Sequence, residues 1–407
     1  MIKETIKSYY QEHLAPDYDI GNVDSGHNRN AYWLTTELTL KGTDAPVTGF
    51  FINSPHPGPV IFGVSGIHGD EGDGIEANRK AAEYFRDNLS EGSYLAVLDI
   101  NSLAFRAQQR ISTEPGFNQN LNNLFGIDNP VTPLGKHASA LFNLIVDISE
   151  KNSDPLVVVD LHSEGRSDRS IPYIRIDRTD DPELQESLLC LGLVSGLPMV
   201  MEFENLAGEN IENALSTALV KKKKIPALTI EVGSGSDLND ENITRVTQAI
   251  ERIGNFLKMT HGPLEIPKPF FQPNLHRLTN IYAYYMNGSP VTRRGKLFLI
   301  PDFTQARSLR INHQWKGGHQ FKPEKVGFIE DWTLNVRQRM QSIYPGLDPS
   351  IHLNKDQHVY ILSVLPEYQQ FDPKNPICIA AIEETDPELL RIYNRALHRI
   401  RILTLPF

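Results

Sequence analysis

Residues 59–74 read PVIFGVSGIHGDEGDG, and they begin the segment that decides the fold. The apolar run PVIFGVSGI ends in glycines and a polar turn, which is typical of a buried strand. The helical pattern GIEANRKAAEYFRDNL follows at residues 74–89, and a second buried-strand pattern, YLAVLDIN, follows at residues 94–101. A strand, a helix and a strand with continuous apolar runs together predict a sheet that helices cover on both faces.

The same alternation of strand and helix patterns continues to about His261. There the stretch GPLEIPKPFFQPN, residues 262–274, contains four prolines and predicts a linker. Beyond it the chain shows short strand patterns divided by glycine and proline turns, and a helical pattern at residues 387–403. The strand patterns are NIYAYYM (280–286), GKLFLIP (295–301), SLRINHQW (308–315), HVYILSVL (358–365) and PICIAAIEE (376–384). We therefore predict an α/β protein with a mixed sheet flanked by helices in residues 1–264, followed by a smaller β-rich domain in residues 265–407.

Composition and charge exclude several classes of protein. The chain has 407 residues, a net charge of −10 and two cysteines, Cys190 and Cys378, so it is a globular protein without a disulfide scaffold. The acidic balance argues against binding to nucleic acid or to an anionic membrane, and the basic run at residues 221–224 is interpreted as a helix C-terminus. With no signal peptide or membrane-spanning run in the sequence, we predict a cytoplasmic location.

Polar residues that can bind a metal follow three of the predicted strands. His68 and Glu71 follow the first, His162 ends the strand PLVVVDLH, and Glu231 ends the strand PALTIE. The carboxyl ends of strands in an open α/β sheet converge on one crevice, so these side chains are expected to meet. Two histidines and one carboxylate are a common ligand set for catalytic zinc, with the fourth position open to water. We expect one zinc ion per chain, bound by His68, Glu71 and His162.

Each of these residues also has an alternative interpretation. Glu71 could be a helix N-terminal charge before the segment 74–89, with Asp70 or Asp73 as the metal ligand in its place. Glu231 could be a buried carboxylate paired with a lysine. A tight turn at residues 66–72 is needed to bring His68 and Glu71 together, and the glycines of HGDEG permit such a turn.

Five ordered motifs between residues 59 and 235 resemble the succinylglutamate desuccinylase and aspartoacylase branch of the zinc carboxypeptidase superfamily. They are HGDE at 68–71, NSLAFRAQQRI at 101–111, NLNNLF at 120–125, DLH at 160–162 and ALTIEVG at 227–233. The resemblance implies a zinc-carboxypeptidase-like mixed sheet and a small C-terminal β domain. It also implies that Glu231 is the general base, that Arg110 stabilises the oxyanion together with zinc, and that Asn122 orients the substrate. Arg110 could instead merely bridge surface acids, where an ion pair contributes little.

The NLNNLF segment departs from the family's DLNR pattern at two positions. Asn120 stands where the family commonly has an aspartate that supports a zinc histidine, and it can still accept a hydrogen bond from an imidazole. Asn123 stands where the family has an arginine that binds a substrate carboxylate, and an amide cannot form that bidentate pair. Either the substrate lacks a carboxylate at this point, or another arginine binds it. Arg166 and Arg169 are the nearest candidates after His162, although arginines after a strand are usually surface residues.

The sequence thus predicts a zinc-dependent amidohydrolase, or deacylase, that cleaves a C–N amide bond in an N-acyl amino acid or a related small compound. The first alternative is a metallocarboxypeptidase or a peptidoglycan-type amidase that acts on peptides. The second is a binding protein that keeps the fold without catalysis. The expected partner is a small N-acyl amino acid or peptide-like substrate, and association into a homo-oligomer is left open.

Overall fold

The computed structural model describes most of residues 46–261 and shorter stretches on either side. The described residues are 2–13, 32–40, 46–163, 169–170, 172–197, 199–203, 211–233, 238–261, 277–284, 290–299, 327–329, 359–364, 378–383, 391, 395–396 and 398–400. Within them, no helix is both long enough and apolar enough to cross a membrane.

Helices and strands alternate through the first part of the chain. The helices are α1 (Ile2–Tyr9), α2 (Gly72–Asn88), α3 (Ser102–Arg106), α4 (Pro133–Lys151), α5 (Pro182–Val194), α6 (Leu215–Ala218) and α7 (Asp240–Phe256). The strands up to residue 231 are β1 (Tyr10–His13), β2 (Tyr32–Leu40), β3 (Pro46–Asn53), β4 (Val60–Ser65), β5 (Ser93–Val97), β6 (Leu156–His162), β7 (Arg169–Ser170), β8 (Tyr173–Asp177), β9 (Met199–Phe203) and β10 (Ala227–Glu231). Later strands are β11 (Arg277–Tyr284), β12 (Pro290–Leu299), β13 (Gly327–Ile329), β14 (Val359–Val364) and β15 (Cys378–Glu383).

The central strands form a mixed sheet in the order β3-β5-β4-β6-β10-β8-β9. Strand β4 is parallel to β5 and to β6, and β6 is parallel to β10, whereas β8 runs antiparallel to β10. Every residue of β4, β5 and β6 is buried, as expected for strands covered on both faces. This architecture confirms the predicted α/β class with its mixed sheet flanked by helices.

One hydrophobic core holds the sheet and its helices together. Helix α2 packs against α7, and buried alanines at 77, 81 and 82 allow α2 to lie close to the sheet. The Phe85 ring of α2 stacks on the Tyr94 ring of β5 with centroids 4.5 Å apart, and the Tyr94 hydroxyl donates to Asn78 Oδ1 at 2.7 Å. The apolar face of α2 thereby fixes the helix whose N-terminus follows the HGDE turn.

The part after residue 265 is rich in antiparallel strands, as predicted. Strand β11 lies between β12 and β15, and β15 pairs with β14. The predicted strand at 308–315 lies outside the described residues, and the short strand β13 was not predicted. Near the C-terminus, Ala396 and Ile400 are buried in the same core as the first part of the chain. Ala396 also contacts Cys190 of α5. The domain boundary between residues 264 and 265 therefore stays a prediction.

The lysine run at residues 221–224 ends a helical segment, as predicted. Helix α6 continues into a π-helical turn, Leu219–Lys223, which stops at Lys224 in the left-handed conformation with φ 59°. Lys222 Nζ donates to Gly126 O and to Asn213 Oδ1, each at 2.8 Å. This side chain joins the end of the helical segment to the loop after the NLNNLF motif.

Candidate metal centre

Three predicted ligands come together at the carboxyl ends of β4 and β6. His68, Glu71 and His162 are buried, and one ligand atom from each lies within 4.8 Å of the others. Glu71 Oε1 is 2.7 Å from His68 Nδ1, and Glu71 Oε2 is 2.9 Å from His162 Nδ1. Both imidazoles therefore direct Nδ1 toward a single carboxylate.

The backbone of the turn at residues 66–71 brings the first two ligands together. Gly66 has φ +71°, a conformation that other residues adopt with strain. At Gly69 a side chain would collide with the backbone of Ala104 and Phe105, so the turn lies directly against α3. Asn101 Nδ2 donates to Ile67 O at 3.2 Å and ties the same turn to the start of α3. Gly66 and Gly69 thus permit the tight turn that the sequence predicted between the first strand and Glu71.

Glu71 lies at the start of helix α2 and also belongs to the histidine cluster. Its backbone occupies the N-cap position of α2, but its side chain makes no capping hydrogen bond to that helix. The carboxylate instead contacts the two imidazoles and accepts a hydrogen bond from Ser163 N at 3.1 Å. Asp73, one of the alternative ligands, lies buried in the first turn of α2 and is not a member of the three-residue cluster.

A polar residue lies behind each imidazole. Asn120 Oδ1 is 3.1 Å from His68 Nε2, which is the contact expected from the sequence. Asp160 Oδ1 is 3.1 Å from His162 Nε2. Zinc-binding histidines usually have such a partner on the ring nitrogen that does not bind the metal, and this contact sets the tautomer. The role of Asp160 was missed, although its place two residues before His162 in a strand put both side chains on one face.

Charge distribution within the cluster follows from these contacts. Burial lowers the pKa of His68, and the nearby Glu71 carboxylate only partly opposes this effect. Burial would raise the pKa of Glu71, but the two imidazoles outweigh it and hold the pKa of this carboxyl well below its usual range. Glu71 is therefore ionised and His68 is neutral at pH 7, the states in which these side chains bind metal.

The pKa of His162 is shifted in the opposite direction. Burial opposes the imidazolium form, but the carboxylates of Asp160 and Glu71 outweigh burial and raise the pKa well above its usual value. The His162 imidazole thus lies between two carboxylates, with Glu71 near Nδ1 and Asp160 near Nε2. A divalent cation at Nδ1 would be attracted by the same charges, so the donor set and its surroundings fit zinc.

Glu231 lies beside the cluster at the end of β10. It is paired in register with His162 of β6 and with Tyr173 of β8, so the three side chains share one face of the sheet. Four residues of β10 are buried, and Glu231 alone keeps part of its surface accessible. Val232 N donates to His162 O at 2.8 Å, which continues the pairing of the two strands past the site.

Arg110 also reaches the cluster, from the loop after α3. Its side chain is half-exposed, and NH1 donates to Glu71 Oε1 at 2.8 Å. The arginine therefore contacts the buried Glu71 carboxylate rather than a surface acid, in contrast to the alternative interpretation. Its position between solvent and the buried cluster makes it accessible to a molecule entering the site.

The four predicted substrate-binding residues are described to different extents. Asn122 Oδ1 accepts a hydrogen bond from Leu215 N, at the start of α6, with a distance of 3.4 Å. Asn123 is partly exposed in the turn Leu121–Asn123. Arg166 lies outside the described residues, and only the backbone of Arg169 is described, in β7 beside β14. The roles given to these four residues stay predictions.

Comparison with known proteins identifies a family and a relative that match the region around this site. Residues 57–257 match the model of the succinylglutamate desuccinylase/aspartoacylase catalytic domain. An N-alpha-acetyl-L-2,4-diaminobutyric acid deacetylase from Halomonas elongata is 29% identical over 210 residues, which are 52% of this chain. The chain spans 58% of the length of that relative.

Solved structures with the same fold extend over nearly the whole chain. A succinylglutamate desuccinylase from Silicibacter sp. TM1040 aligns with a TM-score of 0.57 at 15% identity, covering 92% of this chain and 98% of its own. The product-bound ectoine utilization protein EutE (DoeB) from Ruegeria pomeroyi aligns with a TM-score of 0.55 at 15% identity and covers 92% and 99%. At such low identity these likenesses show the fold, including the arrangement of helices around a mixed sheet.

Proposed function

We propose, from the premise that residues 57–257 belong to the succinylglutamate desuccinylase/aspartoacylase family, that this protein is a zinc-dependent deacylase. Its substrate would be an N-acyl amino acid or a related small compound, and the reaction would hydrolyse the C–N amide bond. The observation that carries the proposal is the buried group of His68, Glu71 and His162, with Glu231 in register with His162. The deacetylase activity in the name of the Halomonas elongata relative supports the same chemistry.

Zinc held by His68, Glu71 and His162 would act as a Lewis acid and lower the pKa of a bound water to about 7. Asn120 and Asp160 lie near Nε2 of the two imidazoles, so that the Nδ1 atoms, which face Glu71, would be the ones to bind the ion. The proposed metal centre therefore uses five side chains. Three would bind zinc, and Asn120 and Asp160 would orient the two histidines.

Glu231 is the proposed general base. Its carboxylate would accept a proton as the water oxygen bonds to the acyl carbon, and would deliver that proton to the departing nitrogen as the C–N bond breaks. The products are a carboxylate and a protonated amine. The partly exposed position of Glu231 at the end of β10 lets it reach a substrate while it stays next to the ligand His162.

Arg110 is proposed to stabilise the negative charge that develops on the acyl oxygen. A guanidinium has five N–H donors, so Arg110 can keep its hydrogen bond to Glu71 and also donate to a substrate oxygen. Asn122 is proposed to orient the substrate through its amide NH₂ group, because its carbonyl oxygen already accepts from Leu215 N. The cytoplasmic location and the absence of nucleic-acid and membrane partners remain predictions from composition.

A substrate panel tests this proposal. The zinc-loaded full-length protein and the Glu231→Gln variant would be assayed on N-acetyl and N-succinyl amino acids and on dipeptides of the same residues. We expect hydrolysis of the acyl amino acids, with turnover in the variant at least about a hundredfold lower at unchanged zinc content. Faster cleavage of the dipeptides would favour the peptidase alternative. Equal turnover by both proteins on every compound would refute the catalytic role.

A further inference from the structure

Helix α4 contains a buried histidine that the proposed mechanism does not use. His137 is 1% exposed, and its Nε2 lies 2.6 Å from Ile100 O. A carbonyl oxygen only accepts hydrogen bonds, so Nε2 carries the proton and donates it. Burial lowers the pKa of His137 to about 4, so the ring is neutral at pH 7. Nδ1 is therefore an acceptor, and no donor among the described residues contacts it.

Stability alone would favour an apolar side chain at this position. Leu141 and Ile145, one and two turns further along α4, lie on the same face as His137 and are buried in the core. A buried acceptor without a partner destabilises the folded state, and a leucine at residue 137 would avoid that cost. What the imidazole supplies, and a leucine would not, is the hydrogen bond to Ile100 O.

Residues 100 and 101 join strand β5 to helix α3 and run beside the HGDE turn. Ile100 N donates to Ser65 O at 3.2 Å, and Asn101 N donates to Gly66 O at 3.1 Å. Asn101 Nδ2 donates to Ile67 O at 3.2 Å. Three successive carbonyl groups, immediately before the first proposed ligand, are thus bonded to these two residues.

The segment after β5 also fits closely against the turn. Asn101 is the N-cap residue of α3, but its side chain makes no capping hydrogen bond to that helix and serves the turn instead. A Cβ on Gly66 would lie 2.8 Å from both Leu98 O and Asp99 Cα. A shift of this segment would therefore move the backbone that carries His68.

Helix α4 is a firm base from which to hold that segment. Its N-cap residue Thr132 accepts from Gly135 N at 3.1 Å through the side-chain oxygen, and Leu134 N donates to Gly116 O at 3.3 Å. Most of the apolar side chains of α4 are buried in the hydrophobic core. The imidazole of His137 thus connects a tightly packed helix to the segment that supports the turn.

We propose that His137 is a positioning residue of the metal centre, and that its hydrogen bond to Ile100 O keeps His68 and Glu71 at the spacing that one zinc ion requires. This inference rests on the proposed function, because it concerns the zinc ion assigned there. His137 would act through residues 100 and 101, without contact with the ion or the substrate. Metal sites tolerate deviations of only about 0.2 Å in ligand distance, so a small shift of this segment would weaken binding.

Substitutions that keep or remove the hydrogen bond test the inference. In the full-length protein, His137→Leu removes the donor, whereas His137→Gln keeps an N–H group that can reach Ile100 O. Ile145→Val shortens a buried side chain on the same face of α4 and is the matched control for a disturbed helix core. Zinc affinity would be measured by competition with a chelator. Hydrogen exchange of the metal-free proteins would be measured in peptides that cover residues 65–72 and 98–106, with strand β10 as the internal reference.

We expect His137→Leu to bind zinc about tenfold more weakly than wild type, the lower end of the loss seen when residues behind metal ligands are changed. Its amides in residues 65–72 and 98–106 should exchange about three- to tenfold faster, with those of β10 unchanged. His137→Gln should restore both properties to within about threefold of wild type, and Ile145→Val should match wild type in both.

Two results would overturn the inference: wild-type zinc affinity in folded His137→Leu, or the same loss of affinity in the leucine, glutamine and Ile145→Val variants. The second result would mean that any disturbance of α4 weakens the site. Should His137→Leu not fold, His137→Asn takes its place, because the shorter amide corresponds to Nδ1 and does not reach Ile100 O.

Failure of the proposed function would be recognised separately. If wild type binds zinc but hydrolyses no acylated compound, the deacylase proposal is wrong, and the zinc affinities still decide the role of His137. If wild type binds no zinc, the exchange of the metal-free proteins decides. Faster exchange of residues 65–72 in His137→Leu, restored in His137→Gln, would then support the positioning of the turn, and equal exchange would overturn it.

Discussion

Substitution of Gly69 by alanine should abolish zinc binding while the matched change at Gly72 should not. A Cβ at residue 69 would lie less than 3.0 Å from the backbone of Ala104 and Phe105, and backbone atoms cannot rotate away. Ordinary contact begins at 3.4 Å, so the HGDE turn and α3 must separate by at least 0.4 Å, the difference between 3.4 and 3.0 Å. Metal sites tolerate deviations of only about 0.2 Å in ligand distance.

The control uses the other end of the same turn. Among the described residues, a Cβ at Gly72 would meet Leu238 Cδ2 alone, at 3.6 Å, and the residue begins helix α2, where alanine is favourable. We expect Gly72→Ala to bind zinc like wild type and to be as stable or slightly more stable. Gly69→Ala should also lose about 1–3 kcal/mol of unfolding free energy, the usual range for overpacking in a close-packed interior.

Two measurements separate the effects of Gly69→Ala. Zinc affinity is obtained by competition with a chelator, and unfolding free energy is obtained by urea titration of the metal-free proteins, so that bound zinc does not add to stability. A folded Gly69→Ala protein with wild-type zinc affinity would refute the reasoning. It would mean that the contact with α3 does not determine the spacing of His68 and Glu71.

Three further predictions address the ligands, their support and a buried carboxyl. Purified wild type should contain one zinc per chain by metal analysis, and His68→Ala and His162→Ala should each contain none; zinc retained in either variant would contradict the ligand set. Asp160→Asn should weaken zinc binding about 10–100-fold in chelator competition, because the amide lacks the charge that supports the imidazole; unchanged affinity would make that charge unimportant. Burial raises the pKa of Asp99 to about 6, so this carboxyl binds its proton more tightly in the folded protein than in the unfolded chain. The contribution of Asp99 to the unfolding free energy therefore falls as the pH rises from about 4 to 6. Asp99→Asn should therefore be more stable than wild type at pH 7.5, by up to about 3 kcal/mol, and the difference should shrink at pH 4.5 in urea unfolding; an equal difference at both pH values would contradict this.

The sequence was sufficient to predict that His68, Glu71 and His162 meet. His68 and His162 follow continuous apolar runs, and such runs identify buried strands whose carboxyl ends lie at one edge of a sheet. The Asn120 contact was expected from the family resemblance of the NLNNLF segment. The meeting of the strand ends thus follows from local pattern and one general rule of α/β topology, whereas the Asn120 contact follows only from the resemblance.

Other parts of the site depend on packing between distant segments, which local pattern does not reveal. The contact of Asn122 with Leu215 N requires the placement of α6 against the NLNNLF turn, 93 residues away along the chain. The proximity of Arg175 to Glu231 is a second example, because it follows from the antiparallel pairing of β8 with β10.

Strand register is the physical link between the core and the proposed chemistry. A slip of one residue between β6 and β10 would turn Glu231 to the opposite face of the sheet, away from His162. It would also bury the charge of Glu231 where β10 now has apolar side chains such as Ile230 and Leu228. The burial of those side chains therefore opposes the slip, and the hydrogen bond from Val232 N to His162 O holds the two strands together at the site itself. The apolar residues that specify the sheet thus also place Glu231, the proposed general base, beside His162, a proposed metal ligand.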